Sequence, residues 1–266
     1  MALALIENVR DQLDTDRFGR SLRGYETVGS TNTAAAEWAG EGAPEGSVVV
    51  TEYQSAGRGR HGRAWTAKKG QNLMFSVVLR PALEADRLGL VTVAAGVAVA
   101  EAIEAFVAPH RAALKWPNDV LLEGRKTCGM LLESSLSGGQ EAEVVVLGVG
   151  LNVNQTTFPD ALADTATSLR LTAGRAVPRA PLFARLLRRL EVRYDAVQAR
   201  QSSGDAVRDA FHDRLATLGE RATVRVSEAE APITGVVRGI TDTGALRLDT
   251  PEGPRVVHAG DATTRP

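Results

Sequence analysis

The chain has 266 residues, with 31 basic and 32 acidic side chains and a formal net charge of -1. Hydrophobic residues make up 44% and charged residues 24%, which argues against a mainly disordered, collagen-like or disulfide-stapled chain. The near-zero charge argues against a general nucleic-acid binder. A single cysteine cannot form an intrachain disulfide or a multi-cysteine zinc site, and it suits a reducing compartment.

Targeting and membrane segments are not expected. The apolar start of the chain is only about five residues long, which is shorter than a signal-peptide core. The most apolar long stretch, residues 88–100, is shorter than the ~20 residues needed to cross a bilayer. We therefore expect a cytoplasmic protein without a membrane partner.

The first half of the chain alternates predicted helices and strands. A helix comes first, followed by a strand at residues 22–28. Hydroxyl and amide side chains before an alanine run predict a helix beginning near residue 31. Apolar runs predict strands at 47–51 and 72–79, separated by a glycine-rich loop at 55–70. Residues 88–107 are predicted to be helical, because strands rarely exceed about ten residues.

The second half predicts four more strands, at residues 113–116, 120–122, 127–133 and 143–149, with turns at 123–124 and 137–139. An irregular stretch at 155–174 precedes two predicted helices, 181–200 and 205–218. After Gly219 the pattern changes to short strands, predicted at 223–226, 233–240, 245–248 and 255–258. We therefore divide the chain into domains 1–218 and 219–266; the alternative is a C-terminal hairpin that extends the main sheet.

The loop from Gly57 to Trp65 is the strongest functional feature. No acidic residue occurs between Tyr53 and Leu83, whereas arginines and lysines recur there. Glycines allow close backbone approach to a ligand, and guanidinium groups pair with carboxylate and phosphate oxygens. The loop therefore suits an anionic ligand. Two alternatives are a solvated basic loop and an RNA contact, the latter weakened because Trp65 is the only interleaved aromatic.

Two further motifs carry polar side chains near predicted strands. Lys115-Trp116-Pro117-Asn118-Asp119 can present an amide and a carboxylate to a ligand or Mg²⁺, although a plain turn explains it in isolation. The second motif is Arg125-Lys126-Thr127-Cys128-Gly129. Taken in isolation, it predicts that Lys126 is an ordinary surface lysine and that Cys128 is a small buried residue. The phosphate-binding P-loop, esterase and zinc-protease motifs are absent from the sequence.

Taken together, these segments resemble the biotin–protein ligases. The resemblance covers nearly the whole chain and rests on residues in the family's order: Ser30-Thr31-Asn32, Gln54, the loop 57–63, Lys115-Trp116-Pro117-Asn118-Asp119, Arg125-Lys126 with Gly129, and Gly148-Val149-Gly150-Leu151-Asn152. It implies an α+β fold: a mixed β-sheet flanked by helices, similar to class II synthetases, plus a small C-terminal SH3-like β-barrel.

The resemblance also implies a two-step reaction. Biotin and ATP, with Mg²⁺, form biotinyl-5′-adenylate and pyrophosphate. A lysine of a biotin carrier domain of a biotin-dependent carboxylase then attacks the adenylate, and AMP leaves. The rival within the same fold is a lipoate- or octanoate-transferring enzyme, whose glycine- and histidine-containing motif we do not find.

The resemblance assigns roles to individual residues. The expected catalytic residues are Lys126, Arg60 and Arg58. The expected biotin-binding residues are Ser30, Thr31, Asn32, Gln54, Gly57, Arg58, Gly59, Arg60, Lys126 and Gly129. The expected ATP- and adenylate-binding residues are Arg60, Arg63, Trp65, Asn118, Asp119, Lys126 and Asn152, with Asp119 as a metal ligand. Some relatives carry an N-terminal DNA-binding domain, for which this sequence has no room before residue 30, so we expect no DNA binding.

Overall fold

The computed structural model describes residues 4–135, 144–199, 203–226 and 231–264. Its helices are α1 Ala4–Arg10, α2 Thr31–Gly40, α3 Gly89–Val107, α4 Leu169–Ala173, α5 Arg179–Gln198 and α6 Ser203–His212. Seven strands form the first sheet: β1 Leu22–Tyr25, β2 Val48–Thr51, β3 Leu73–Leu79, β4 Ala113–Lys115, β5 Asp119–Leu122, β6 Arg125–Ser135 and β7 Val144–Leu151. Five form the second: β8 Arg221–Arg225, β9 Ile233–Ile240, β10 Leu246–Thr250, β11 Gly253–Val257 and β12 Asp261–Thr263.

The first sheet has the strand order β1-β2-β3-β7-β6-β5-β4. Strands β1 and β2 are parallel and the other neighbours are antiparallel, so the predicted mixed sheet is confirmed. Alternate side chains of the strands face opposite sides of the sheet. Phe75 of β3 packs on Phe183 of α5 with ring centroids 4.9 Å apart, whereas Val78 packs beneath α2 in a separate small cluster.

Helix α3 is apolar on nearly every side and forms the centre of the core. It packs against α5, α6 and the sheet. With the turn before it, α3 is long and apolar enough to cross a membrane, but 72% of its most apolar window is buried within the protein. A helix that is hydrophobic all round is typical of a core position, and that is where α3 lies.

The C-terminal strands form their own antiparallel sheet, in the order β11-β10-β9-β8-β12, and do not extend the first sheet. Among the described strands the pairing runs linearly from β11 to β12, and this separate antiparallel sheet agrees with the predicted small C-terminal β domain. Strand β12 has only three residues, and they pair with β8. Trp116 joins the two sheets by donating from Nε1 to the carbonyl of Gly244 at 3.0 Å.

The structure corrects several predicted boundaries. The helix expected to reach residue 218 ends at His212, because the backbone of residues 214–216 bonds to the edge strand β4 instead. Strand β1 ends at Tyr25, and the stretch expected to be irregular contains α4. Strand β12 was not predicted, and the turn expected at 137–139 lies outside the described residues.

Candidate active site

Glycines of two central strands form the floor of a cavity of about 870 Å³. Gly148, Gly150 and Asn152 lie at every second position of β7 and its end, so they share one face. Gly150 pairs with Gly129 of β6, which in turn pairs with Asp119 of β5. Because these positions lack side chains, other residues can lie flat against the sheet.

Trp65 and Lys126 occupy the space above these glycines. A Cβ at Gly150 would lie 2.4 Å from Trp65 Cε2, and one at Gly129 would lie 2.9 Å from Lys126 Cε. Any other residue at either position would therefore displace the side chain above it. Lys126 Nζ lies 5.7 Å from the centre of the Trp65 ring and forms an ion pair with Asp119 Oδ1 at 2.6 Å.

A chain of neutral hydrogen bonds lines another part of the cavity. Gln54 Oε1 accepts from the backbone N–H of Thr31 at 2.8 Å and from its hydroxyl at 3.1 Å. Ser76 Oγ lies 2.7 Å from Thr31 Oγ1 and donates to Asn32 Oδ1 at 2.6 Å. Ser30, Thr31 and Asn32 are all buried at the start of α2. The helix thus brings three polar groups to a site with little access to water.

Asn32 lies directly over the glycine floor. A Cβ at Gly148 would lie 2.2 Å from Asn32 Oδ1, which is an impossible contact. Gly148 and Gly150 are two residues apart on β7, so the Asn32 and Trp65 positions are separated by about 7 Å along the strand. The floor therefore runs from a neutral polar region to a region beside a cationic lysine.

The arginine-rich loop folds back on itself as a short hairpin. Arg58 and Ala64 form a β-bridge, and the N–H of Trp65 donates to the carbonyl of Gly57. His61, at the tip, has a left-handed backbone conformation with φ of 54°. A Cβ at Gly57 would lie 2.5 Å from the Trp65 carbonyl oxygen, so only glycine fits there.

The loop contacts the C-terminal sheet through its arginines. Arg60 Nη1 donates to the carbonyl of Gly260 at 3.1 Å and to Asp261 Oδ1 at 3.3 Å, and Arg63 also pairs with Asp261. Burial lowers the pKa of the Arg60 guanidinium, and the Asp261 carboxylate opposes that shift. Arginine nevertheless stays protonated in proteins, so a partly desolvated cation faces the cavity.

Asn118, Asp119 and Asn152 complete the predicted set. Asn118 Nδ2 donates to the Met130 carbonyl at 2.6 Å, and Asn152 Nδ2 donates to the Thr167 carbonyl at 3.1 Å. Both side-chain amides line the cavity, and their hydrogen bonds hold its strands and loops in place.

Among the described residues no group of three His, Cys, Asp or Glu side chains could hold a metal. Mg²⁺ bound with a nucleotide uses only one or two carboxylates plus phosphates and water, and Asp119 fits that requirement.

Fourteen of the fifteen predicted site residues line this single cavity: Ser30, Thr31, Asn32, Gln54, Arg58, Gly59, Arg60, Arg63, Trp65, Asn118, Asp119, Lys126, Gly129 and Asn152. Gly57 lies outside the described lining, packed behind Trp65. Sequence reasoning assigned no role to Ser76, Gly148, Gly150, Glu133 or Asp261, although Gly148 and Gly150 belong to a motif on which the resemblance rests. The alternation along β7 could have indicated the two glycines, because every second residue of a strand shares one face.

Cys128 is not part of the chemistry. It is fully buried in β6, and burial raises the pKa of its thiol far above the ordinary value. A protonated, inaccessible thiol is a poor nucleophile. The predicted reading of Cys128 as a small buried residue is therefore confirmed.

Together, the fold and the cavity define an enzyme site for an elongated ligand that is polar and neutral at one end and anionic at the other. Comparison with known proteins gives the family. Residues 24–152 match the Biotin/lipoate A/B protein ligase family, and residues 217–263 match the Biotin protein ligase C terminal domain.

Relatives match over most of the chain. It is 38% identical over 260 residues to the biotin--[acetyl-CoA-carboxylase] ligase of Mycobacterium tuberculosis, covering 96% of this chain and 93% of that protein. It is 35% identical over 255 residues to the bifunctional ligase/repressor BirA of Bacillus spizizenii, covering 95% of this chain and 77% of the relative. The structure of the Aquifex aeolicus biotin protein ligase in complex with biotin and ATP superimposes with a TM-score of 0.79 at 28% identity, covering 92% and 99% of the two chains. This chain belongs to the biotin protein ligase family.

Proposed function

We propose that this chain activates biotin with ATP, forming biotinyl-5′-adenylate, and transfers the biotinyl group to a lysine of a biotin carrier domain. The observation that carries the proposal is the cavity floor formed by glycines of β6 and β7. Neutral hydrogen-bonding groups around Asn32 lie over Gly148, and the cationic Lys126 lies over Gly129. The names of similar proteins support it: one relative is a biotin--[acetyl-CoA-carboxylase] ligase, and one similar structure holds biotin and ATP.

The neutral region fits the ureido end of biotin. A ureido group has two N–H donors and one carbonyl acceptor, and it carries no charge. Thr31, Gln54 and Asn32 offer hydroxyl and amide groups that can both donate and accept. Thr31 and Asn32 are buried and Gln54 is partly buried, so a ureido group can exchange hydrogen bonds with them, whereas a plain alkyl chain cannot.

The cationic region fits the adenylation step. A carboxylate oxygen of biotin attacks the α-phosphorus of ATP, the bond to the β-phosphate oxygen breaks, and pyrophosphate leaves with the electron pair. Two unit negative charges 4 Å apart repel by about 4 kcal/mol at an effective dielectric of 20. We assign Lys126 and Arg60 to offset this repulsion, because positioned cations act most strongly where charge develops.

The nucleotide would lie beside Trp65, Asn118, Asp119 and Asn152. Trp65 covers the floor glycines, and its indole Nε1 has no hydrogen-bond partner among the described residues. Asp119 would supply the protein carboxylate for Mg²⁺. When bound, this ion neutralises charge on the phosphate oxygens. Lys126 already neutralises Asp119, so binding of the nucleotide changes the partners of both side chains.

The transfer step needs little further chemistry from the protein. The neutral ε-amine of the carrier lysine attacks the acyl carbon of the adenylate, the bond between that carbon and the phosphate oxygen breaks, AMP leaves with the electron pair, and the amine releases a proton to solvent. Closure of the cavity would protect the anhydride from water until the carrier arrives. We assign residues 1–218 to this catalytic domain and residues 219–266 to the C-terminal domain, and we place the reaction in the cytoplasm.

The test is mass-spectrometric detection of the adenylate. Purified protein is mixed with ATP, Mg²⁺ and one acid, with biotin, lipoate and octanoate in parallel tubes. We expect biotinyl-5′-adenylate and no adenylate of the other two acids. An adenylate formed from lipoate or octanoate instead would assign the chain to the sister activity, and the absence of any adenylate would overturn the proposal.

A further inference from the structure

Glu133 of β6 joins two elements of the site that are far apart in sequence. Its Oε2 accepts from Asn32 Nδ2 at 2.7 Å, and its two carboxylate oxygens accept from Arg58 Nη2 at 3.1 and 3.2 Å. Glu133 is four residues beyond Gly129 on the same strand, so its side chain stands on the cavity side of the sheet. One carboxylate therefore links helix α2 to the arginine-rich loop.

The contact with Asn32 fixes the orientation of a buried amide. Asn32 is 5% exposed, and its Oδ1 accepts from Ser76 Oγ at 2.6 Å. An ionised carboxylate can only accept hydrogen bonds, so Glu133 holds the amide nitrogen on its own side and the amide oxygen toward Ser76. The group that Asn32 presents to a ligand is thereby set before the ligand binds.

The contact with Arg58 anchors the start of the loop. The Arg58 guanidinium pairs with Glu133 and also donates to Thr33 Oγ1 at 3.2 Å, so α2 and β6 both hold it. Its charge is already neutralised by Glu133. Arg60 and Arg63, by contrast, reach toward the C-terminal sheet. Within one loop, the first arginine thus has a different environment from the two that follow it.

From this geometry we propose that Glu133 is a positioning residue that couples the biotin-binding side chain Asn32 to the arginine-rich loop through Arg58. Arg58 then acts as an anchor of the loop and not as the catalytic, biotin-contacting residue that the resemblance implies. Loss of the coupling loosens the biotin end of the cavity and leaves the nucleotide end intact. The inference rests on the proposed function, because it names biotin as the ligand.

A double-mutant cycle tests the coupling. Glu133→Gln keeps an oxygen for Asn32 but removes the charge that holds Arg58, and Arg58→Met removes the guanidinium. We expect each variant to raise the KM for biotin and the release rate of the adenylate on the order of tenfold, with the KM for ATP unchanged. The double variant should be no worse than either single one, because the two groups act through each other.

Glu41→Gln and Arg23→Met provide a matched control, since Arg23 and Glu41 form an exposed ion pair at the far end of α2. Both control variants should keep wild-type constants. Three results would each overturn the inference. They are a raised KM for ATP in Arg58→Met, an increase in the KM for biotin in the double variant equal to the product of the two single increases, and wild-type constants in Glu133→Gln. These results leave the proposed function standing, whereas a wild-type chain that is inactive with biotin overturns both.

Discussion

We expect the adenylation chemistry to depend most directly on Lys126. Its ammonium group lies 2.6 Å from Asp119 and over Gly129, with the Trp65 ring 5.7 Å away. Its charge is paired with Asp119, so a carboxylate and a phosphate must compete with that side chain for it. This pairing keeps a partly exposed cation ordered within the cavity. A Cβ at Gly129 would lie 2.9 Å from Lys126 Cε, so a larger residue there would displace the ammonium group.

We predict that Lys126→Met slows single-turnover formation of the adenylate on the order of 10²-fold to 10³-fold, as expected for loss of one positioned group that stabilises developing charge. Lys69→Met is the matched control, because Lys69 is an exposed lysine paired with Glu26. Rapid-quench measurement of adenylate formation distinguishes the two. A Lys126→Met rate within a few-fold of wild type would remove this lysine from the mechanism.

At the scale of elements, the arginine-rich loop is held by contacts that a nucleotide can replace. Arg60 and Arg63 bind the Asp261 carboxylate, which occupies the place where an anionic ligand would pair with them. Arg63 is exposed, and an exposed ion pair typically contributes about 0–1 kcal/mol, so this contact can be given up at small cost. Arg60 is more buried, so the hairpin can close over a bound adenylate only if the anionic ligand replaces Asp261 as its partner.

We predict that biotin plus ATP protects this loop from trypsin, because closure buries the peptide bonds that follow Arg58, Arg60 and Arg63. Limited proteolysis with and without the two ligands measures this, and cleavage elsewhere in the chain is the internal control. Equal loop-cleavage rates in the two conditions would contradict the predicted closure.

At the scale of the whole molecule, helices α3 and α5 support the sheet that carries the floor glycines. Phe183 of α5 is fully buried against Phe75 of β3, and β3 pairs with β7 along its length. The floor has no side chains of its own at Gly148 and Gly150, so its position depends on packing from the opposite face. The core therefore sets the geometry of the cavity.

We predict that Phe183→Ala lowers the free energy of unfolding by about 3–5 kcal/mol, because it leaves a cavity in the core. Val192→Ala on the exposed side of the same helix should change it by less than about 0.5 kcal/mol. Urea unfolding followed by circular dichroism gives both values. Similar values for the two variants would show that the α5–β3 contact is not part of the stabilising core.

The sequence predicts local features of this protein better than distant contacts. The loop of residues 57–63 and the Lys115–Asp119 motif are contiguous, so their side chains could be assigned to one site by resemblance. Glu133 and Asp261 meet the loop from 75 and 198 residues away, and no local pattern marks such contacts. The end of α6 was missed for the same reason, because its last predicted turn is replaced by bonds to β4.

The proposed reaction joins biotin to the α-phosphate of ATP in this cavity. Exchange of labelled pyrophosphate into ATP measures that step alone, without a carrier domain. We predict exchange that requires biotin, is not supported by lipoate or octanoate, and is lost in Lys126→Met. The proposed function would be contradicted by exchange that proceeds equally without biotin, or by no exchange when folded wild-type protein is supplied with biotin.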